Sequence, residues 1–224
     1  MEKHSVKILD KFLVTHDVRS FVVEKPANYT FTPGQATEVA LETEGWQDEK
    51  RPFTFTNLID DDFLQFIIKI YPEHEGVTRQ LDSLKTGDRL ILHEIFGAIS
   101  YKGTGTFIAG GTGITPFIAI FRNLRKENKL AGNLLIFANK TEKDIILHKE
   151  LDELFEDDLI NILSDEKKSA YHHGQVTRDF LSEHIANKKG MIYLCGPPPM
   201  MESVLKSLSE LGIKDEAIIT EEMQ

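Results

Sequence analysis

The chain has 224 residues, 41% of them apolar and 28% charged, which suits one large domain or two of roughly 100 residues each and excludes wholesale disorder. The 26 Lys and Arg stand against 36 Asp and Glu, a net charge of −10. That balance argues against non-specific nucleic-acid binding and against an anionic membrane surface, both of which need basic residues. A lone cysteine, Cys195, excludes an intrachain disulfide, a four-cysteine zinc site and a cysteine-ligated iron–sulfur cluster within this chain, and fits a reducing cytoplasm.

The N-terminus, Met1–Lys7, lacks the apolar core of a secretory signal. The most apolar stretch, Phe107–Phe121, is interrupted by Gly110, Gly111, Gly113 and Pro116 and is too short for a membrane helix. The expectation is a soluble, cytoplasmic protein without a membrane span.

The first half carries short runs rich in Val, Ile, Phe and Thr at Val6–Val14, Ser20–Glu24, Ala36–Glu42, Pro52–Asn57, Phe63–Tyr71 and Arg89–Glu94. Turn signals such as Thr32-Pro33-Gly34 and Asp60-Asp61-Asp62 separate them. This pattern predicts an antiparallel β-barrel or sandwich, with one short helix over Val77–Leu84. Trp46, in a polar turn, reads as a contact point or a lid over the barrel.

The second half alternates. Strands are expected at Gly105–Ala109, Asn133–Ala138, Leu159–Leu163, Met191–Leu194 and Ala217–Thr220. Helices are expected at Ile114–Glu127, Leu147–Phe155, Thr177–His184 and Met200–Leu211. That alternation predicts an α/β doubly wound parallel sheet. The division falls near Ser100–Thr104, giving a two-domain chain of 1–101 and 102–224, with the crevice between them as the default ligand site.

Four motifs carry the chemistry. Gly110-Gly111-Thr112-Gly113-Ile114-Thr115-Pro116 follows a predicted strand and opens a helix, so its backbone N–H groups suit a phosphate. It departs from the dinucleotide fingerprint, whose third glycine falls on Pro116. Cys195-Gly196-Pro197-Pro198-Pro199-Met200 stands at the end of another parallel strand. Arg51-Pro52-Phe53-Thr54 lies on a barrel strand, where Arg51 offers a bidentate phosphate clamp and Phe53 a flat apolar surface. Pro52 favours an edge. Ile70-Tyr71 leads into Gly76-Val77-Thr78, a second candidate anion site at a helix start. One phosphate site in each half suggests two phosphorylated cofactors, one of them a flavin.

The order and spacing of these motifs, over nearly the whole chain, resemble the ferredoxin–NADP⁺ reductase family in its compact, flavodoxin-reductase-like form. The resemblance implies a flavin-binding barrel and a nicotinamide-nucleotide domain. Arg51, Gly76, Val77 and Thr78 would hold the flavin phosphates, with Pro52, Ile70 and Tyr71 beside them. Phe53 would pack on the isoalloxazine where the family usually has Tyr, and Thr54 would hydrogen-bond near flavin N5. Gly111, Thr112, Gly113 and Thr115 would hold the nicotinamide nucleotide's pyrophosphate. Asn139, Ser164 and Asp165 would meet its adenosine. Cys195, with Gly196, Pro197 and Met200, would place the nicotinamide. Thr54 and Cys195 are the residues expected nearest the reacting atoms. FAD is favoured over FMN because compact reductases mostly carry it. NADH and NADPH both stay open as co-substrate, with a lean to NADH from Asp165 and the absence of Arg nearby; Ser164 with Lys167 or Lys168 would serve NADPH.

Family members often end in an aromatic residue over the flavin. This chain ends Thr220-Glu221-Glu222-Met223-Gln224, so Glu222 is expected near the cofactors, Met223 or nothing covers the ring, and the flavin is expected to be open. The implied activity is electron transfer between NAD(P)H and a one-electron carrier, ferredoxin or flavodoxin, by a monomer without nucleic-acid partners. A reductase component of an oxygenase system is the alternative, as is a non-catalytic flavin- or nucleotide-binding subunit. The net charge of −10 disfavours steering toward an acidic carrier unless a local basic patch exists; Lys11, Arg19, Lys50, Arg51 and Lys69 are its candidates, and sequence does not show that they cluster. His172-His173, the only histidine pair, reads as an exposed turn rather than a metal site, and no metal is expected.

Overall fold

A computed structural model describes residues 3–185 and 190–221. The chain forms two compact units, residues 1–97 with 115–123, and residues 98–114 with 124–224.

In the first unit β1 (His4–Leu13), β2 (Val18–Glu24), β3 (Ala36–Leu41), β4 (Arg51–Thr54), β5 (Phe63–Lys69) and β6 (Arg89–Phe96) make an antiparallel sheet in the order β4-β3-β6-β1-β2-β5. An isolated bridge between Phe55 and Phe66 joins the two edge strands and closes the sheet into a barrel. Alternation aims Ile8, Phe21, Val39, Phe66, Leu90 and Leu92 inward, all of them buried. The helix α1 (Val77–Ser83) adds Val77 and Leu81 to this core. Trp46 packs against it as a lid.

Lys11 fastens that helix. Its ammonium donates to the carbonyls of Asp82 at 2.5 Å and Leu84 at 3.1 Å, and faces the Asp82 carboxylate at 3.7 Å. Arg19 Nε meets the same carboxylate at 3.1 Å. Lys11 thus satisfies carbonyls at the helix end, which lack partners within the helix, while Arg19 holds the Asp82 side chain.

The second unit holds a parallel sheet in the order β10-β9-β8-β7-β11-β12. Its strands are β7 (Gly105–Gly110), β8 (Leu134–Asn139), β9 (Leu159–Leu163), β10 (His172–His173), β11 (Met191–Cys195) and β12 (Ile218–Thr220). Along the chain, α2 (Thr115–Lys126) follows β7, α3 (His148–Phe155) follows β8, α4 (Arg178–His184) follows β10 and α5 (Pro198–Glu210) follows β11. Leu181 and Ile185, with Met201, Val204 and Leu208, share a core with Ile108, Ile136, Ile162, Ile192 and Leu194. Tyr193 is fully buried and stacks on Phe107 at 4.1 Å; its hydroxyl accepts from the N–H groups of Lys102 and Gly103 and donates to the Gly103 carbonyl.

Three elements differ from the sequence reading. His172-His173 is a two-residue strand pairing in parallel with Ile162 and Leu163, not a turn, although both side chains are exposed as expected. A single 3-10 turn over Gly111–Ile114 precedes α2, because glycine at 111 takes a left-handed φ of 52°. And α5 starts at Pro198 rather than Met200: consecutive prolines fit a first turn, whose N–H groups need no intrahelical partner.

Candidate functional site

The sheet of the second unit reverses its order at β7. From there the chain steps out to β8 and β9, whereas β11 lies on the opposite side of β7. Open parallel sheets bind ligands at the carboxyl ends of the strands flanking such a switch point. The segments leaving those two strands are Gly111–Thr115 and Gly196–Met200, both singled out from sequence.

The glycines of these segments do different work. A Cβ on Gly113 would lie 2.3 Å from the Cys195 carbonyl oxygen and 2.6 Å from Gly196 Cα. One on Gly110 would lie 2.4 Å from Met200 Sδ and 2.9 Å from Pro197 Cδ. Gly113 thus lets the loop after β7 pack backbone to backbone against the end of β11, and Gly110 makes room for the Met200 and Pro197 side chains. Gly111, at φ 52°, has nothing within 4 Å of where a Cβ would stand. The open cradle is therefore at Gly111, and the motif glycine Gly113 is filled by protein. Thr112 and Thr115 are half-buried.

Cys195 ends β11, 8% exposed. Burial foremost, and then the Glu221 carboxylate, push its thiol up to about 12. It is a neutral, small, polarizable group and no nucleophile at physiological pH. Sequence reasoning does not reach Glu221. The signal is register: β12 pairs with β11 through Leu194 and Thr220, which puts the next residue level with Cys195. Glu222 and Met223 lie outside the described residues.

At the carboxyl ends of β8 and β9, Asn139 is buried and neither side-chain nitrogen nor oxygen has a hydrogen-bond partner. A buried amide left wanting is costly, and a ligand is one way to satisfy it. The neighbouring loops are laced together: Ser164 N–H donates to the Asn139 carbonyl, Asp165 N–H to that of Lys140, and Ser164 Oγ to Asp165 Oδ1 at 2.6 Å. The orphaned amide, the open Gly111 and the switch point fit a dinucleotide.

In the barrel unit β4 is an edge strand in the sheet order and carries Pro52 exposed, as proline requires. Phe53 is half-buried and Thr54 buried. Arg51 is exposed; its guanidinium donates to the Lys50 carbonyl and has no carboxylate partner among the described residues. Gly76 stands before α1 with no side-chain cap and open space around it, so first-turn N–H groups are unclaimed by a cap. Val77 is buried and Thr78 half-buried. Ile70 is buried, and Tyr71 is exposed against the His74 ring. An unpaired guanidinium, uncapped amides and a partly open aromatic suit a phosphate-bearing flavin.

Most of the five basic residues weighed for a docking patch are paired with acidic neighbours. Lys11 and Arg19 are bound to Asp82, Lys50 to Glu38 at 2.5 Å and Lys69 to Asp17 at 2.7 Å. Of the five candidates only Arg51 has no acidic partner among the described residues.

The oxidoreductase FAD-binding domain family matches residues 5–101 and the oxidoreductase NAD-binding domain family residues 107–206. Human NADH-cytochrome b5 reductase 1 is 32% identical over 254 residues, covering 94% of this chain and 83% of that protein. The chain belongs to the ferredoxin–NADP⁺ reductase-like family of flavoprotein reductases. It carries an FAD-binding and an NAD-binding domain and is a flavin-dependent oxidoreductase. Two solved structures share its fold. The FAD/NAD-binding domain of nitric oxide dioxygenase from Vibrio cholerae has a TM-score of 0.85 at 24% identity and covers 96% of each chain. A ferredoxin NADP⁺ reductase from Neisseria gonorrhoeae, with FAD and NADP bound, has a TM-score of 0.84 at 16% identity and covers 98% of each. Among the described residues no helix is long and apolar enough to cross a membrane.

Proposed function

We propose that this chain takes hydride from NADH and passes electrons singly to a redox protein, acting as a cytoplasmic monomer with residues 1–101 holding FAD and 102–224 the nicotinamide nucleotide. The observation that carries the nucleotide half is the orphaned Asn139 amide at the same sheet edge as the open Gly111. Arg51 and the α1 amides at Gly76–Thr78 hold the flavin phosphates, Phe53 supports the ring, and Thr54 donates or accepts a hydrogen bond at its edge, beside Ile70 and Tyr71. Gly111, Thr112 and Thr115 take the dinucleotide's phosphates, with Gly113 setting the loop close to β11. Asn139, Ser164 and Asp165 take the adenosine. Cys195, Gly196, Pro197 and Met200 bound the nicotinamide. Bound FAD supplies the hydride-accepting, one-electron-donating chemistry. The chain contributes position rather than acid–base work, consistent with a Cys195 thiol that stays protonated.

Asp165 at the end of β9 favours a ribose hydroxyl over a phosphate, which supports NADH. Among acceptors a haem protein of the cytochrome b5 kind stands first, supported by the relatives' names. Ferredoxin, flavodoxin and an oxygenase component are the other carriers to try. The test is an anaerobic optical titration of purified protein with NADH and NADPH, followed by addition of each carrier. Bleaching of a yellow protein by NADH, and its reversal by one of the carriers, is expected. A colourless protein that refuses FAD would overturn the reading.

A further inference from the structure

The loops beyond β8 and β9 hold a charge network that the proposed chemistry does not use. Lys168 Nζ is bound by Glu142 Oε2 and lies 3.2 Å from Glu166 Oε1. Tyr171 donates to Glu142 Oε1 at 2.8 Å, and His148 Nε2 lies 3.4 Å from the same hydroxyl and from Asp152. Glu166 Oε2 accepts the Glu142 N–H at 2.8 Å. The effect on the groups is mutual. Hydrogen bonds from Lys168 and Tyr171 hold Glu142 below the usual carboxylate range, and the two carboxylates hold Lys168 above its own. One lysine is therefore matched by two ionised carboxylates, and the set carries a net negative charge.

This network borders the strand ends where Asn139 is orphaned and where Ser164 and Asp165 stand. A phosphate on the adenosine ribose would need a cation there. We propose that Glu142 and Glu166 are specificity-determining residues that withhold Lys168 from such a phosphate, so that the site takes a dinucleotide with a plain ribose hydroxyl and rejects the 2′-phosphorylated one. The proposal rests on reading the β8 and β9 ends as the adenosine site.

The probes are 5′-AMP and 2′,5′-ADP, titrated by calorimetry into the full flavin-loaded chain. In E142Q/E166Q the amides remain neutral acceptors while Lys168 loses both charged partners. Affinity for 2′,5′-ADP is expected to rise about tenfold or more, the worth of one charge-assisted hydrogen bond, with 5′-AMP changing little. Adding K168M should erase the gain. A gain that survives K168M would overturn the proposal, because Lys140 or Lys167 would then be the cation responsible. No gain at all, in a variant with the parent's thermal midpoint, would overturn it too. A separate arm, D165A, checks the site itself. If D165A weakens 5′-AMP but E142Q/E166Q is silent, only this proposal fails. If D165A leaves 5′-AMP unchanged, the adenosine reading falls and takes the proposal with it.

Discussion

The two glycines of the loop after β7 should fail in opposite ways. In G113A the new methyl would stand 2.3 Å from the Cys195 carbonyl oxygen, 2.5 Å from its carbon and 2.6 Å from Gly196 Cα. All three are backbone atoms, so no side chain can swing away. Relief requires the loop or the end of β11 to move by about an ångström against the parallel pairing of Cys195 with Ala109. Overpacking of this kind costs about 3 kcal/mol, the upper end of the usual range. For a chain of this length that lowers the thermal midpoint by roughly 6–12 °C. In G111A the methyl enters open space, and the penalty is the left-handed φ of 52° alone, about 1 kcal/mol. That methyl would nevertheless occupy the cradle assigned to the dinucleotide phosphates. The apoprotein melt by near-ultraviolet circular dichroism and the NADH dissociation constant read the two effects separately. G113A should lose midpoint, and G111A should lose NADH affinity by about tenfold with a small change in midpoint. If G113A melts with the parent, or G111A costs the larger midpoint shift, the division of labour between these glycines is wrong.

Other outcomes are expected. Y193F leaves the N–H groups of Lys102 and Gly103 without their buried acceptor and should cost about 2–3 kcal/mol in denaturant unfolding. His93 is buried with both ring nitrogens unpartnered, and burial foremost depresses its pKa below 6.5. Below 6.5 the unfolded chain takes a proton that the folded one refuses, so this residue's share of stability is full above that pH and is lost as the pH falls through the depressed folded pKa; H93L should flatten the stability–pH curve on the acid side of 6.5. R51A should weaken FAD binding by about tenfold or more while leaving the apoprotein melt unchanged. A thiol reagent at pH 8 should label Cys195 in the unfolded chain and leave the folded one largely untouched, given a thiol pushed up to about 12.

Much of the architecture is readable because its signals are local. Alternation along β2 and β5, and the period of Phe117, Phe121 and Leu124 on α2, are written in consecutive residues. What escapes is set at long range. Nothing around Gly113 announces that a strand far down the chain packs against its Cα. That Lys11, Arg19, Lys50 and Lys69 are paired is invisible in sequence, because their partners Asp82, Glu38 and Asp17 are brought beside them only by the barrel. Glu221 acquires meaning through the β11–β12 register. His172-His173 pairs as a strand because β9 offers an edge, not from any β propensity of its own.

The fates of these residues have a common logic. Charged groups are engaged in fixing elements: Lys11 and Arg19, weighed for a docking patch, hold the C-terminal end of α1, and Asp144 caps the loop that carries Glu142. Cys195, expected beside the reacting atoms as a small polarizable group, is kept neutral by burial. Among the described residues, unmet demands at strand or helix ends are the Asn139 amide, the Arg51 guanidinium with no carboxylate partner and the uncapped amides of α1, whereas His93 and Asn161 Oδ1 are unpartnered within strands. A protein whose chemistry lies in bound cofactors has little use for titrating side chains and much use for rigid, unsatisfied sockets. Filling those sockets should therefore stabilise the fold. Saturating FAD, at 100 times its dissociation constant, should add about 2.7 kcal/mol to the unfolding free energy. R51A at the same FAD concentration should gain correspondingly less, by about 1.4 kcal/mol for each tenfold loss of affinity. A melt insensitive to FAD would show that the sockets belong to something else.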